Sequence, residues 1–435
     1  MDIPLYSGLA LVLVVALQFA AGTIGMFRRQ WQHEALFRLR RRKLELELAS
    51  VSRSKHAGNA WQGWRTFRVA RLVRETADTM SVFFEPEDGG ALPRFLPGQY
   101  VTLSLRMPGE MRPVIRCYSL SHAPADSYFR CTVKEASPPV DRPELPFGKA
   151  SRHINRRLAE GELVELKSPH GNFTLDVTRK TPVVLIGAGI GVTPLLSMLQ
   201  AITTDDALQR SSRQAIAFLQ FRSGEHHPLK GELVALARQH KNIKIVTVYS
   251  APDSGDVIGR DFDLRGRLTP EIVQKSLRGS GYDFYICGPG PFMESMVSGL
   301  EQWGIAAEHI HYEAFGPASV KRAGRPKAGE GSASNLARPA EIPMGAPQSG
   351  PQHSVHFELS GVTAGWTDQV ESLLELAEAH QVPVESGCRA GNCGTCAMSI
   401  KSGKVIYSTP PGSPPPARVC LPCICIPAGP LVLEA

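Results

Sequence analysis

At 435 residues, 43% hydrophobic and 20% charged, the chain has the make-up of two to four folded domains and not of a globally disordered protein. Its formal net charge of +7 raises a nucleic-acid reading, but residues 28–55 hold nine Lys/Arg against three Glu, so that stretch alone supplies 9 − 3 = +6. The remainder is close to neutral and shows no aromatic-studded basic face, so no nucleic acid is expected as a partner.

In chain order, Pro4 to Phe27 is 24 residues without a charge, almost purely aliphatic from Leu9 to Ala21. That is long enough to cross a hydrocarbon core of roughly 30 Å. A cleaved signal peptide would carry positive charge before the apolar run, yet only Asp2 stands there, and the basic residues follow. The expectation is one N-terminal transmembrane helix over 4–27, membrane lipid as a partner, and soluble domains on the cytoplasmic side. Residues 28–58 read as a basic juxtamembrane helix, with Leu36, Leu39, Leu44 and Leu48 among arginines. Lying along anionic lipid and being simply solvated are equal readings for it.

Residues 61–178 are short β-runs with turn punctuation: Thr66 to Val73, Met80 to Phe84, Tyr100 to Leu105, Phe129 to Val133 and Leu163 to Leu166. Their even spacing predicts an antiparallel β-barrel, with one helix from Ser151 to Ala159 capped by Ser151. Residues 181–317 change character, to buried-type apolar strands at Pro182 to Ile186, Ala215 to Phe221, Ile243 to Tyr249 and Tyr282 to Cys287 with helical patterns between. A parallel α/β sheet follows. Residues 318–352, rich in Ala, Gly, Pro and Ser, read as a flexible linker with an r.m.s. reach of roughly 30–35 Å. Residues 353–435 form a further compact unit, with a strand from Val355 to Leu359 and a helix from Val370 to His380.

Four constellations carry chemistry. Gly187-Ala-Gly189-Ile-Gly191-Val-Thr193-Pro194 follows an apolar strand and opens a helix, where backbone can approach a pyrophosphate; a plain tight turn is the rival reading. Cys287-Gly288-Pro289 ends a second strand of the same sheet, and ligands bind in such crevices. Arg116-Cys117-Tyr118-Ser119 joins a phosphate-pairing cation, a stacking ring and a hydroxyl, although an ordinary alternating strand would look alike. Finally, Cys388-Arg-Ala-Gly-Asn-Cys393-Gly-Thr-Cys396 has the C-x₄-C-x₂-C spacing, with a cysteine further on, of a 2Fe–2S site. Zinc is the competing metal, but zinc knuckles pair two C-x₂-C units and only one is well formed here. The spacing leaves Cys420, Cys423 and Cys425 open as the fourth ligand. The other thiols, Cys117, Cys131 and Cys287, suit a reducing cytosol.

Arg116-x-Tyr118-Ser119, the Gly187–Pro194 turn, Cys287-Gly288-Pro289 and Glu313-Ala-Phe315-Gly316-Pro317 occur in the order seen in the ferredoxin–NADP reductase superfamily, which residues 61–435 resemble. The C-terminal unit resembles a plant-type β-grasp ferredoxin, as in oxygenase reductases and hybrid-cluster-protein reductases, and the barrel is similar to the flavohaemoglobin reductase module. The resemblance implies a multidomain NAD(P)H-dependent oxidoreductase with FAD (FMN as the alternative) and a 2Fe–2S cluster. It implies catalytic roles for Tyr118, Ser119, Cys287 and Glu313. Arg116, Tyr118, Ser119, Lys134, Gly148, Lys149 and Ser151 would bind flavin, with Phe315 facing it. Gly187, Gly189, Gly191, Thr193, Cys287 and Gly288 would hold the nicotinamide nucleotide. In the family, the fourth cluster ligand is followed four residues later by Pro and then by an apolar strand. This implies Cys423, with Pro427 and Leu431 to Leu433, beside Cys388, Cys393 and Cys396. Arg222 and Ser223 lean toward NADPH. The expected acceptor is a protein such as an oxygenase or hydroxylase, itself membrane-associated if the anchor holds. A membrane quinone-type oxidoreductase and a non-catalytic electron carrier are the alternatives.

Overall fold

The computed structural model describes residues 61–315 and 353–435, apart from residues 62, 111–112, 126, 139–142, 178, 205–212, 368–369, 390, 392–393, 409–410 and 412–414. The expected transmembrane segment 4–27, the basic segment 28–58, the linker 318–352 and Cys393 lie outside the described residues. Among those described, no helix is long and apolar enough to cross a membrane.

The first domain is a six-stranded antiparallel sheet built from β1 (Arg65–Thr76), β2 (Thr79–Pro86), β3 (Tyr100–Leu105), β4 (Val114–Ser119), β5 (Phe129–Lys134) and β6 (Leu163–Leu166). The strand order is β4-β3-β6-β1-β2-β5. The two edges meet just past β4, where Leu120 bridges Cys131 and the Ser121 amide donates to the Arg130 carbonyl at 2.9 Å. The ring therefore closes as the expected barrel, and no long strand edge is left bare. Alternation drives it: Phe67 and Val69 of β1 face the core while Arg68 between them faces out. Phe84, Leu103 and Phe129 meet them inside. A helix α1 (Lys149–Arg156) plugs one end with Ala150 and Ile154. It starts earlier than predicted and Ser151 is not its cap. The Ser151 hydroxyl donates to the Gly148 carbonyl and accepts from the Ala136 amide, both at 3.0 Å. That side chain ties the helix to the chain leaving β5, and the entry shifts back to Gly148.

The second domain is a parallel sheet of β7 (Val183–Ala188), β8 (Ala215–Phe221), β9 (Ile243–Tyr249), β10 (Leu264–Arg265), β11 (Asp283–Gly288) and β12 (Ile310–Ala314), ordered β10-β9-β8-β7-β11-β12. All six positions of β7 and of β11 are buried, as expected for strands covered on both faces. On one face α2 (Val192–Thr204) and α3 (Lys230–Gln239) pack through Leu195, Leu199 and Leu233. On the other, α4 (Pro270–Ser276) and α5 (Gly290–Gln302) pack through Val273, Met293 and Val297. Strand order reverses between β7 and β11, so their carboxyl ends frame the crevice. The edge strands β10 and β12 escape the periodicity: one has two exposed residues, the other carries Glu313 among apolar neighbours.

The third domain sets one helix, α6 (Leu373–Ala379), against a five-stranded mixed sheet in the β-grasp manner. Its strands are β13 (His353–Phe357), β14 (Val362–Trp366), β15 (Met398–Ser402), β17 (Val419–Cys420) and β19 (Leu431–Leu433). A separate pair joins β16 (Val405–Tyr407) to β18 (Cys425–Pro427). The helix is shorter than the predicted Val370 to His380. The Ser372 hydroxyl accepts from the Glu375 amide (3.2 Å), and the Glu375 carboxylate accepts from the Glu371 amide (2.8 Å), which fixes the start at Leu373. The predicted strand at Val355 likewise stops at Phe357, leaving Leu359 exposed.

Candidate active site

Strand β4 pairs with β3 so that Tyr118 lies opposite Val101 and Ser119 opposite Tyr100. From there Arg116, Tyr118 and Ser119 border a cavity of about 400 Å³. Lys134, Gly148, Lys149 and Ser151 reach it from the rest of the barrel, and Thr193, Glu313 and Phe315 from the parallel sheet. With Cys388 from the third domain, eleven of the sequence-predicted site residues are thus brought to one space. Burial pushes the Tyr118 hydroxyl well above its usual range, which keeps the ring a neutral phenol. Arg116 is shifted down, first by burial and then by the neighbouring Arg389 guanidinium, and its Nη1 donates to the Ile115 carbonyl at 2.7 Å. Lys134 pairs with Asp78 (3.3 Å) and Lys149 with Glu110 (2.7 Å) at the rim. The Ser119 Oγ and Glu313 Oε2 atoms are buried without a hydrogen-bond partner among the described residues. A polar ligand in the cavity would satisfy both, and such orphans need one. Burial also pushes the Glu313 carboxyl up to about 8, so it holds its proton at neutral pH.

The glycines of the nucleotide turn divide the work. Gly189 has φ of +56° with open space where a Cβ would sit, leaving room for a ligand. A Cβ on Gly191 would lie 2.2 Å from the Cys287 carbonyl oxygen, and one on Gly187 would lie 2.8 Å from Leu195. Gly191 thus lets the turn between β7 and α2 press against β11, and Gly187 lets Leu195 of α2 and Leu219 of β8 close over β7. Gly191→Ala is therefore expected to cost about 1–3 kcal/mol through backbone displacement. A lowered thermal midpoint by circular dichroism, with a smaller loss for Gly189→Ala, checks it. Cys287 pairs in register with Gly187 on one side and Glu313 on the other. It is fully buried, with its thiol pushed up by burial and by Glu313. Neither Cys287 nor Gly288, nor Gly187, Gly189 or Gly191, lines the flavin-side cavity; they shape the crevice beside it.

In the third domain the Cys396 and Cys423 sulfurs stand 3.3 Å apart. The Cys423 thiol is pushed up first by Cys396 and burial, with Cys388 also near enough to contribute, while the Gly391 amide donates to its sulfur. Crowded sulfurs with an amide donor suit a cationic centre that neutralises thiolates. Cys420 and Cys425 are fully buried and hydrogen-bond each other inside the domain core. Gly391 (φ +71°) and Gly394 (φ +65°) supply turns that other residues resist. The cavity beside Tyr118 is also lined by Gly387, Cys388 and Arg389. Arg389 and Tyr100 were not anticipated. Arg389 gave no signal beyond standing next to Cys388, because its place at the flavin cavity depends on how the third domain docks. Lys167 meets Glu385 across that contact at 3.8 Å.

Residues 67–175 match the family profile described as an oxidoreductase FAD-binding domain, and 185–298 that of an oxidoreductase NAD-binding domain. Residues 357–428 match a 2Fe-2S iron-sulfur cluster binding domain. The flavohemoprotein of Bacillus anthracis is 34% identical over 277 residues, covering 63% of this chain and 67% of the relative. The chain belongs to the ferredoxin–NADP reductase family. This reductase is similar to the FAD/NAD-binding domain of the nitric oxide dioxygenase of Vibrio cholerae O1 biovar El Tor (32% identity, TM-score 0.50, 58% of this chain and 99% of that one). It shares its fold with phthalate dioxygenase reductase (21%, TM-score 0.52, 86% and 98%). The chain spans about two thirds of the flavohemoprotein's length. The reductase is an NAD(P)H oxidoreductase of FAD, nicotinamide and 2Fe–2S type, and its orphaned polar atoms and clustered sulfurs fit those groups.

Proposed function

We propose that the reductase takes electrons from NAD(P)H at the flavin cavity and passes them one at a time, through the cysteine loop, to a protein acceptor such as an oxygenase or hydroxylase. The observation that carries this is Cys388 on the wall of the same cavity as Tyr118 and Ser119. A bound flavin supplies the exchange between a hydride's electron pair and single electrons. Arg116 would pair with flavin phosphate, Tyr118 would stack on the ring, and Ser119 Oγ would hydrogen-bond to it. Glu313 holds a proton at its carboxyl beside them. Gly189 and the amino end of α2, with Thr193, would receive the dinucleotide's phosphates. Cys388, Cys393, Cys396 and Cys423 would hold the cluster. The choice of a protein acceptor draws on phthalate dioxygenase reductase, whose fold the chain shares and whose name is that of a dioxygenase's reductase.

In anaerobic stopped-flow mixing with NAD(P)H, flavin bleaching is expected first, followed by a rhombic paramagnetic signal from the reduced cluster. Zinc in place of iron and acid-labile sulfide in the purified protein would overturn the reading. The apolar stretch 4–27 further supports attachment to a membrane, with the domains on the cytoplasmic side. The full chain should sediment with membranes after alkaline extraction, and a chain starting at residue 59 should not.

A further inference from the structure

A polar seam joins the barrel to the parallel sheet away from the cavity. Arg130 of β5, 7% exposed, donates through Nη1 and Nη2 to both carboxylate oxygens of Glu232 on α3, the Nη2 to Oε2 distance being 3.1 Å. The same guanidinium donates to the Ser121 hydroxyl (3.2 Å) and to its carbonyl. Glu232 Oε2 also accepts from Gln200 Nε2 on α2 at 2.8 Å. Gln200 Oε1 in turn accepts from the Ala123 amide at 2.8 Å, and the Ser197 hydroxyl donates to the His122 carbonyl at 2.7 Å. Helix α2 is thus gripped one turn apart by the 121–123 chain, which begins two residues beyond Ser119. Its amino end carries Thr193, which lines the flavin cavity. One helix therefore connects the nucleotide end of the site to the chain that leaves the flavin strand.

We propose that Arg130, Glu232 and Gln200 are positioning residues that fix the gap between nicotinamide and flavin. The inference rests on the hydride-transfer reading above. Transfer needs reacting atoms about 3–3.5 Å apart, and a misplacement of about 1 Å can cost roughly 100-fold. Apolar packing is non-directional and would let the domains slide, whereas a bidentate Arg–carboxylate pair sets angle as well as distance.

The test uses the full holoprotein with Glu232→Gln and Gln200→Ala. Flavin reduction by NAD(P)H is expected to slow about tenfold or more. The nucleotide Kd should stay within about threefold, since binding and geometry separate in such a split. The long-wavelength absorbance of reduced flavin with NAD⁺ should weaken, and amide exchange at Ala123 should quicken. Should Glu232→Gln fold poorly, Ser197→Ala, which removes one hydroxyl, is expected to shift the same readings in the same direction by less. Faster exchange at Ala123 with unchanged hydride rate and absorbance would make the seam merely structural and overturn the proposal. A weakened Kd with an unchanged limiting rate would do so too. Failure of the unaltered protein to bleach its flavin with either nucleotide would sink the functional reading instead.

Discussion

Cys423→Ser is expected to empty the protein of iron and acid-labile sulfide, whereas Cys420→Ser and Cys425→Ser should retain both. All three cysteines lie within six residues, so chain distance does not separate them. Exposure and partners do. Cys423 is half-buried, 3.3 Å from Cys396, and receives the Gly391 amide. Cys420 and Cys425 are fully buried free thiols, side by side and packed in the core with Phe357 and Leu431. Either core change should cost on the order of 1 kcal/mol of stability, from lost packing. In Cys423→Ser, NAD(P)H should still bleach the flavin at the original rate while delivery to any one-electron acceptor served by the cluster falls to background. Iron and sulfide analysis together with the paramagnetic signal decide it. A full cluster in Cys423→Ser and an empty one in Cys425→Ser would reverse the ligand assignment.

Glu313→Gln should remove a pH dependence from both stability and rate. The carboxyl ordinarily titrates near 4.5 and is pushed up to about 8 by burial, with 6% of the residue exposed. Below pH 4.5 the folded and unfolded chains both carry the proton and nothing is lost. As pH rises from 4.5 toward 8, only the unfolded chain releases it, so the native protein loses stability across that window, by roughly 3–5 kcal/mol at the upper end. Without flavin, the Gln variant should match the wild type in urea midpoint at pH 5 and exceed it at pH 8.5. With flavin and NAD(P)H, the wild-type reduction rate should inflect near pH 8, and the variant should be flat and slower by about 100-fold. An inflection that survives in the variant would assign the proton to another group.

The barrel and the parallel sheet were legible because their strands obey two simple patterns. In β1 the buried Phe67 and Val69 flank the exposed Arg68, and in β7 every residue is apolar and buried. The errors fell where side chains compete with a local signal. Ser151 reads as a helix cap, yet its hydroxyl serves the Ala136 amide; Val370 has the helical period, yet the Ser372–Glu375 cap starts the helix after it. Cys287, expected at the nicotinamide, lies buried beneath the Gly191 turn and does not line the flavin-side cavity.

By itself the sequence determined which chemistry the chain can hold. The spacing of Cys388, Cys393 and Cys396, the glycines of the nucleotide turn and the Arg116–Ser119 run are local, and local spacing is written directly in the chain. Tertiary structure alone decided which groups meet. Inside the third domain Cys423 is set beside Cys396 and apart from Cys420 and Cys425, Arg389 reaches the cavity beside Arg116 once that domain docks, and Arg130 grips Glu232 once the barrel meets the parallel sheet. The reason is physical: burial, desolvation and hydrogen-bond partners depend on residues far away in sequence, and they set both the acidity of Glu313 and the geometry around it.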